Sequence, residues 1–453
     1  MINIYLLLFS GTKVQISQQN TKRFAIFFVP LPTTSTITSM QQPRQDTVQP
    51  SHFLRTAIIG GGAAGFFLAI NLKERCPMME VTIFERSKRV LAKVEVSGGG
   101  RCNCTNSFAD VRDLAAVYPR GHRLMKRLMK GFSQRDAYEW FERHGVRLVT
   151  QDDQCVFPMS QDSHSIINCF LKEVRRLGIV IRTESKVESL DTLNDYDFIA
   201  ITTGGSPKAE GLRWLVDKGH ETEQPVPSLF TFQIKDDALQ SLMGTVVEGA
   251  TAMIPGTKLR AEGPLLITHW GMSGPAILKL SSYAARYLAE CKYQSPLAVN
   301  WTDHRDIEVM DELNDILVRH PQKQLQTIAP YGLPSRLWTY LLQKCIGQRS
   351  NSRWGTLNQK ELHRLANLLS GGDTYKISGR APFKDEFVTC GGISLSAINP
   401  STLESRHVPN LYFAGEVLDI DGITGGFNFQ AAWTTAYTVA QAIASHCPPS
   451  LSK

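Results

Sequence analysis

The chain has 453 residues, of which 42% are hydrophobic and 20% are charged. A chain of this length supports two or three domains with cores of their own, and its composition is ordinary for a globular protein. The formal net charge of +7 is mild for the length, so it permits an anionic partner without requiring one. No apolar run reaches the roughly eighteen residues that a membrane span needs, so we expect no membrane contact.

Residues 1–53 differ in composition from the rest of the chain. They contain no acid before Asp46, are rich in Ser, Thr and Gln, and hold two short apolar runs, IYLLLF and FAIFFVPLP. One interpretation is a wrongly assigned start, because Met40 stands just ahead of a short polar leader into the first predicted strand. A disordered tail and a basic, acid-poor transit peptide are the alternatives. We predict an N-terminal extension over 1–53 that takes no part in function.

A dinucleotide-binding fingerprint follows in the sequence TAIIGGGAAGFFLAINLKERCPMMEVTIFER, residues 56–86. A short buried strand, a turn with Gly60, Gly62 and Gly65, a helix and a second strand ending on Glu85 are predicted in that order. The glycines permit a tight turn, close approach of a pyrophosphate and close helix packing, while the helix N-terminus attracts phosphates. Glu85 would accept hydrogen bonds from a ribose. The alternative, a turn that binds nothing, does not explain the complete context.

The α/β pattern continues to residue 225. A glycine-rich loop is predicted over 93–106, helices over 108–147, and a helix with two strands over 164–205. We therefore assign 54–225 to the first part of a dinucleotide-binding α/β domain.

The pattern of apolar and turn-forming residues changes at Val226. Short β-like runs separated by Gly and Pro predict a β-rich insert over 226–302, and helical patterns predict a helical subdomain over 303–371. A β-rich return over 372–390 leads into a strand, a glycine-rich loop and an apolar helix. These elements, over 391–447, complete the α/β domain as its second part.

A single fingerprint favours FAD as the dinucleotide. The glycine clusters at 98–100, 204–205 and 425–426 lack the spacing and the following acid, whereas a separate NAD(P)H domain would show both. The last cluster opens a long helix, whose N-terminus would stabilise negative charge on a reduced flavin. Glu416 and Asp421 would hydrogen-bond a ribityl chain. Taken alone, this segment is equally typical of a turn before a core helix.

Five motifs extend the pattern: IIGGGAAG, KVEVSGGGRCNCTN, THWGMSGPAIL, TCGGI and FAGEVLDIDGITGGFN. In their order and distances, over about residues 55–445, the chain resembles the BaiN-like (YhiN-like) NAD(P)/FAD-dependent oxidoreductases. The resemblance implies an α/β fold, with a Rossmann-like FAD domain of the glutathione-reductase type interrupted by a β-barrel-like insert carrying a helical piece. Two positions depart from the family pattern: Cys104 replaces an apolar residue, and Cys390 replaces a small one. Neither threatens FAD binding, but both would alter what lies near the ring.

The resemblance also implies a set of cofactor-binding residues. Carried over by position, Gly60, Gly62 and Ala64 hold the pyrophosphate, Glu85 the adenosine ribose and Val187 the adenine, with Ala63 and Arg86 beside them. Flavin contacts would come from Lys93, Gly99, Arg101, Cys102, Asn103, Thr203, Gly204, Gly415, Glu416, Asp421, Gly425, Gly426, Phe427 and Asn428.

The nine cysteines, odd in number and without a regular framework, indicate reduced thiols in a reducing compartment, so we expect a cytoplasmic protein. A redox disulfide between Cys102 and Cys104 is disfavoured, because one intervening residue makes a strained bridge. No Cys/His cluster has zinc-like spacing, and we expect no metal.

Two residues are candidates for catalysis. His269, in the insert, would donate a proton, although a satisfied and partly buried histidine is the more common case. Arg101 would polarise a substrate carbonyl or hold an NADPH phosphate, or instead neutralise the pyrophosphate of the cofactor.

A basic stretch over 119–136 has Arg120, Arg123, Arg127 and Lys130 at near-helical spacing, opposite an apolar face. These side chains would form a footprint for RNA phosphates. The solvated face of an amphipathic helix is the alternative, and the sequence alone favours it.

We predict an FAD-dependent oxidoreductase. NAD(P)H would bind transiently and pass a hydride by way of the flavin to a carbonyl-conjugated C=C bond, while a protein acid or water protonates the other carbon. The resemblance implies two substrates of this kind, a uracil in large-subunit ribosomal RNA and an unsaturated 3-oxo bile acid, and the basic stretch leans towards RNA. A flavin-dependent oxidase or dehydrogenase of a small metabolite and a non-enzymatic FAD-binding protein are the alternatives.

Overall fold

The computed structural model describes residues 53–206, 208–381 and 388–447, and three short strands nearer the N-terminus. The chain divides into two compact units, Met1–His52 and Phe53–Lys453. Apart from those strands, the predicted extension over 1–53 lies outside the described residues.

The first unit contains one described sheet. Its antiparallel strands pair in chain order and are β1 (Tyr5–Leu7), β2 (Lys13–Ile16) and β3 (Ile26–Phe28).

The described residues of the second unit form sixteen strands and fourteen α-helices. The strands are β4 (Arg55–Ile59), β5 (Glu80–Phe84), β6 (Thr105–Asn106), β7 (Leu148–Thr150), β8 (Cys155–Pro158), β9 (Val180–Arg182), β10 (Phe198–Ile201), β11 (Thr222–Ser228), β12 (Phe232–Ile234), β13 (Val246–Met253), β14 (Arg260–Thr268), β15 (Gly271–Ser273), β16 (Ser295–Asn300), β17 (Ser370–Arg380), β18 (Val388–Ile393) and β19 (Leu411–Phe413). The helices are α1 (Ala63–Arg75), α2 (Ala92–Gly100), α3 (Leu114–Val117), α4 (His122–Leu128), α5 (Gln134–Arg143), α6 (His164–Leu177), α7 (Arg213–Val216), α8 (Asp237–Gln240), α9 (Pro275–Tyr283), α10 (Ala285–Glu290), α11 (Asp306–Arg319), α12 (Ser335–Ile346), α13 (Gln359–Leu369) and α14 (Phe427–Ala444). None of these described helices is both long and apolar enough to cross a membrane.

A five-stranded parallel sheet, in the order β19-β10-β4-β5-β9, organises the α/β part of the second unit. Its central strands are short apolar runs, as expected where helices cover both faces of a parallel sheet. Strands β10 and β19 are neighbours although the whole insert separates them in sequence. The end of the chain therefore completes the sheet that residues 55–59 begin.

Helix α1 is buried along most of its length, since every residue from Ala64 to Leu72 is shielded from solvent. It packs against α14 and α6, and the ring of Phe67 lies 4.6 Å from that of Trp140 and 5.1 Å from that of Trp433. A helix that is apolar all round is stable only in such an interior position.

Six strands of the insert form a closed barrel in the order β12-β15-β14-β13-β16-β17. The helices between β16 and β17 pack on the barrel through one shared apolar core, which includes the fully buried Trp301, Trp338 and Trp354. The predicted α/β architecture with a barrel insert that carries helices is thus confirmed.

The two connections between sheet and barrel pair with each other. Strands β11 and β18 form an antiparallel ribbon in which Val226 is opposite Cys390. The predicted domain limits at residues 225 and 390 fall inside these two strands, and they stay predictions.

The cysteines differ from the sequence prediction in one respect. Cys76 and Cys447 form a disulfide, whereas the other seven are free thiols, including Cys102 and Cys104. The expectation that all nine are reduced is therefore wrong for this pair. The physical reason is that the packed helices α1 and α14 end side by side, which brings together residues that are 371 positions apart. The cytoplasmic location inferred from the cysteine pattern stays a prediction.

A charged network lies beside α5 and α6. The Nε2 atom of His144 lies 3.3 Å from Glu74 Oε1, and Arg176 binds Glu74 at 2.9 Å and Glu173 at 2.5 Å. The ligand atoms of these acids and His144 lie within 4.8 Å of one another, a spacing that could hold a metal ion, so the expected absence of a metal stays a prediction. Burial lowers the pKa of His144, yet the hydrogen bonds to Glu74 and to the Trp140 carbonyl outweigh burial and raise it above 6.5.

The raised pKa predicts a pH-dependent stability. Since the folded state holds the proton more tightly than the unfolded state, the contribution of the His144–Glu74 pair is fully present below pH 6.5. It is lost as the pH rises through the folded-state pKa. We expect E74Q to lower the free energy of unfolding by up to about 1 kcal/mol more at about pH 5.5 than at about pH 9, in urea titrations.

The matched control for this prediction is E80Q. Glu80 is an exposed acid that pairs with Arg55 at 3.3 Å and has no histidine partner in this pair. E80Q should therefore lower the free energy of unfolding by the same amount at the two pH values. Equal losses for E74Q would contradict the assignment.

Candidate dinucleotide-binding site

The turn between β4 and α1 is held against β10 by glycines that no other residue can replace without strain. The Gly60 backbone has φ +118°, and a Cβ there would lie 2.3 Å from the Thr202 carbonyl oxygen. A Cβ at Gly65 would lie 2.1 Å from the Gly60 carbonyl oxygen. Both contacts are far below van der Waals distance, so these two glycines are fixed by packing.

Gly62 has a different environment. It begins α1 with φ −94°, and a Cβ built on it meets no atom within 4 Å. No side chain caps α1 at this end, so the first N–H groups of the helix depend on another acceptor. An open, uncapped helix start after a glycine turn fits the pyrophosphate of a dinucleotide, and the adjacent Ala63 and Ala64 add no bulk.

Glu85 stands at the end of β5 with its carboxylate held in place. Its Oε2 accepts a hydrogen bond from Gly61 N at 2.9 Å, and its Oε1 accepts from Ser87 N at 2.8 Å. Lone pairs remain for a ribose, because a carboxylate accepts about four hydrogen bonds. The Glu85 carbonyl also accepts from Ser185 N at 2.9 Å, which brings the segment of the predicted adenine contact Val187 alongside. Arg86 is exposed.

Several predicted flavin residues converge at the carboxyl edge of the sheet. Lys93 Nζ lies 3.0 Å from Glu416 Oε2, and Glu416 Oε1 accepts from Thr389 N at 2.7 Å. A Cβ at Gly204 would lie 3.9 Å from Glu416 Oε2, and one at Gly415 would lie 2.9 Å from the Ala64 Cβ. The loops after β10 and β19 thus meet the start of α1. Thr203, which precedes Gly204, is exposed.

The loop before α14 is built by close backbone packing. Gly425 and Gly426 have φ values of +121° and +89°, and a Cβ at Gly426 would lie 2.2 Å from the Thr105 carbonyl oxygen. The Asn103 amide, oriented to satisfy both of its ends, accepts from Gly426 N at 3.2 Å. Asn428 braces the same loop, since its Oδ1 accepts from Gly422 N at 2.8 Å. Phe427, the first residue of α14, is buried.

The glycine triplet at the end of α2 turns the chain out of the helix. Gly98 and Gly99 have left-handed φ values of +57° and +67°, and a Cβ at Gly99 meets nothing within 4 Å. The guanidinium of Arg101 lies 4.2 Å above the Phe157 ring, and its Nε donates to the Gly98 carbonyl at 3.2 Å. The proposed flavin-lining loop is therefore open on one side and anchored by Arg101 on the other.

Both cysteines of this loop are buried free thiols. Burial raises the pKa of the Cys102 thiol to about 12 and raises that of Cys104 well above its ordinary value. A raised pKa favours the neutral thiol, so neither sulfur has the surroundings that activate a cysteine.

Arg120 and Asp421 form a buried ion pair. The Asp421 side chain is fully buried, and its Oδ1 accepts from Arg120 Nε at 2.6 Å. Its Oδ2 accepts from Arg120 Nη2 and from the Ser228 hydroxyl, the latter at 3.2 Å. Arg120 therefore does not belong to the exposed face of α4, which corrects its place in the predicted basic footprint. A ribityl contact of Asp421 stays a prediction and would compete with these donors.

His269 lies apart from the residues described so far. It is exposed on the turn between β14 and β15, and its ring lies 5.0 Å from that of Trp270. No contact described for His269 reaches the glycine loops of the candidate site. Its catalytic assignment therefore rests on the sequence alone.

Two residues at the site carry roles that sequence analysis missed. The Tyr118 hydroxyl donates to the Phe427 carbonyl at 2.9 Å, and the Thr389 backbone orients Glu416. Thr389 belongs to the motif TCGGI, so the sequence marked this position without indicating that its backbone binds Glu416. Tyr118 precedes the basic stretch, and nothing in its sequence neighbours indicates a partner 309 positions away.

Comparison with known proteins adds to this geometry. Residues 54–442 match the model of the HI0933-like protein Rossmann domain family. The chain is 28% identical over 405 residues to the ribosomal RNA dihydrouridine synthase of Escherichia coli, covering 85% of this chain and 96% of that protein. It is 26% identical to the 3-dehydro-bile acid delta(4,6)-reductase of Clostridium scindens, covering 86% and 99%.

Among solved structures, the 3-ketosteroid delta1-dehydrogenase of Sterolibacterium denitrificans superposes with a TM-score of 0.45 at 10% identity. The superposition covers 86% of this chain and 99% of that one. This likeness is too distant to support an argument about the site.

The open position of Gly62 predicts a separation of folding from cofactor binding. In G62A the new methyl group enters the space assigned to the pyrophosphate without meeting the protein. We expect an unfolding temperature close to that of the parent chain and FAD affinity lower by at least about tenfold, measured by flavin fluorescence titration. The matched control is G249A on β13, where the nearest atom to a new Cβ is the Asp303 Cβ at 4.0 Å. Equal FAD affinity in the two variants would refute the pyrophosphate assignment.

Proposed function

The chain belongs to the HI0933-like Rossmann-domain family of flavoproteins, and from that premise we propose an oxidoreductase that uses NAD(P)H to saturate a C=C bond conjugated to a carbonyl. One hydride from NAD(P)H and one proton add across the bond, giving NAD(P)⁺ and the saturated carbonyl compound. The alkene is a uracil in ribosomal RNA or an enone-type small molecule such as an unsaturated 3-oxo steroid.

The observation that carries this proposal is the convergence of the pyrophosphate turn, the Lys93–Glu416 pair and the start of α14 at one edge of the sheet. The names of the two relatives support the reaction class. A dihydrouridine synthase and a delta(4,6)-reductase both saturate a C=C bond next to a carbonyl, although their substrates differ greatly in size.

The residues of the chain fit bound FAD, which supplies two-electron hydride chemistry. In the proposed arrangement the start of α1 holds the pyrophosphate, and Glu85 holds the adenosine ribose. The start of α14, which no side chain caps, would offer backbone N–H groups to the flavin, where negative charge accumulates on reduction. Arg101 and His269 remain the proposed groups that polarise or protonate the substrate.

The direct test is anaerobic stopped-flow mixing of the purified, FAD-loaded protein with NADPH or NADH while the flavin absorbance is followed. We expect rapid bleaching with at least one donor, and reoxidation by a uridine-containing ribosomal RNA fragment or by an enone. A flavin that stays oxidised with both donors, but is reduced by a small metabolite, would replace this proposal with an oxidase or dehydrogenase. Tight FAD without turnover under any donor would indicate a binding protein.

The proton-donor assignment gives a separate prediction. If His269 protonates the substrate, H269Q should leave flavin bleaching by NAD(P)H unchanged and slow alkene-dependent reoxidation by at least about 100-fold. The control is H164Q, which removes another exposed histidine, at the start of α6. Should H269Q and H164Q reoxidise at the same rate, the proton comes from another group or from water.

A further inference from the structure

The exposed face of α4 and of the turn that follows it, called the α4 face below, carries a group of cations. Arg123, Lys126, Arg127 and Lys130 are exposed, while Leu124, Met125 and Leu128 point into the core. Among the residues that the structure describes, none of these four cationic side chains has an ion pair or a hydrogen bond. Residues 119–135 contain six Arg and Lys and no Asp or Glu. A solvated helix face usually mixes both signs of charge, so this one-sided composition needs another explanation.

A basic cavity adjoins the residues that lead into α4. Its volume is about 390 Å³, and its lining includes Arg120, Lys258, Arg260, Tyr283 and Arg286. Arg120 and Arg286 are held by Asp421 and Asp419, whereas Lys258 and Arg260 are exposed on the β13–β14 hairpin. No ion pair within the described part of the chain neutralises these two hairpin cations.

The cavity continues into a second one of about 670 Å³, with Arg260 and Tyr283 common to both. The second cavity is lined by charges of both signs: the acids Glu262, Asp303 and Asp306, and the cations Lys279 and Arg305. This mixed lining differs from that of the first cavity, where every charged lining residue is a cation. The link between the α4 face and the β13–β14 hairpin is Arg120, which precedes α4 and lines the first cavity together with Lys258 and Arg260.

This surface is joined directly to the candidate cofactor loop. Ile423 N donates to the Val117 carbonyl at 2.9 Å, Tyr118 binds the Phe427 carbonyl, and Arg120 binds Asp421. The segment that precedes α4 is therefore fixed to the loop that leads into Gly425 and α14. A polyanion bound on the cations lies next to the flavin end of the proposed site.

We propose that the α4 face, with Lys258 and Arg260, binds the phosphodiester backbone of an RNA strand that presents a uracil to the cofactor. This inference rests on the proposed function and selects RNA from its two substrate classes. An enone of steroid size carries no phosphates, so it cannot pair with several exposed cations at once. An RNA strand carries one phosphate per nucleotide and can pair with all of them. A base in a loop or single strand is also free to leave its stack and enter an active site.

The test compares two charge-neutralised variants of the FAD-loaded protein. R123Q/R127Q/K130Q removes three cations of the α4 face, and K323Q/K360Q/R364Q removes three exposed cations of the helical subdomain as the matched control. Binding of a fluorescein-labelled, uridine-containing RNA hairpin is measured by anisotropy over a series of salt concentrations. Flavin bleaching by NADPH is measured on the same samples.

We expect the α4 variant to bind the hairpin at least about tenfold more weakly and to reduce the slope of log K against log salt by about 2, at roughly 0.7 per phosphate contact. The control variant should bind like the parent chain, and K258Q/R260Q should lose affinity as the α4 variant does. NADPH bleaching should be unchanged in all of them.

Equal RNA affinity and salt slope in the α4 and control variants would overturn the RNA surface. A loss of NADPH affinity in the α4 variant, with RNA binding unchanged, would reassign the cations to the nicotinamide cofactor. The binding measurement needs no turnover, so an absence of alkene reduction, which would defeat the proposed function, is told apart from an absence of RNA binding.

Discussion

The buried ion pair of Arg120 and Asp421 connects parts of the molecule that are far apart in sequence. Arg120 precedes α4, Asp421 lies in the loop before α14, Ser228 ends β11, and the Ser282 carbonyl of α9 accepts from Arg120 at 2.7 Å. Two charges removed from water are costly unless each has hydrogen-bond partners. Here the guanidinium donates to both oxygens of Asp421 and to the Ser282 carbonyl, and the carboxylate also accepts from Ser228. Burial opposes both charges: at Arg120 the hydrogen bond with Asp421 prevails and raises the pKa of the guanidinium, whereas at Asp421 burial prevails and raises the pKa of the carboxyl. The position of the barrel relative to the cofactor loop therefore depends on a charge pair that tolerates little displacement.

Glycines at the candidate site divide into two physical groups. Gly60, Gly65 and Gly426 are places where backbone meets backbone, and a methyl group there would collide with a carbonyl oxygen. Gly62 and Gly99 face open space instead, since a Cβ at either position would meet no protein atom within 4 Å. The first group explains why the turn and loops have their shape, and the second indicates where a ligand approaches the main chain.

Local patterns in the sequence were sufficient for the β4–α1–β5 unit and for α14, because strand, turn and helix signals there lie within about thirty residues of one another. The barrel is different. Its closure depends on pairing between β12 and β17, which no local pattern encodes. The same limit applies to Arg120. Its charge and its basic neighbours in sequence are typical of a surface residue, and only the folded chain brings Asp421 beside it. Cys76 and Cys447 carry no motif at all, since only the packing of α1 on α14 brings them together.

The pairing of β10 with β19 has a consequence for how the protein is made. While the chain is being synthesised, β4, β5, β9 and β10 are available early, but β10 remains an open sheet edge until the whole insert and residues 411–413 have followed. The loops at Gly415 and Gly426 are synthesised later still, so the proposed cofactor site is complete only after residue 426 has been added. A nascent chain has the pyrophosphate turn without the flavin end. FAD can therefore contact both ends of the proposed site only after residue 426 has been made, and β10 keeps an unpaired edge until β19 is in place.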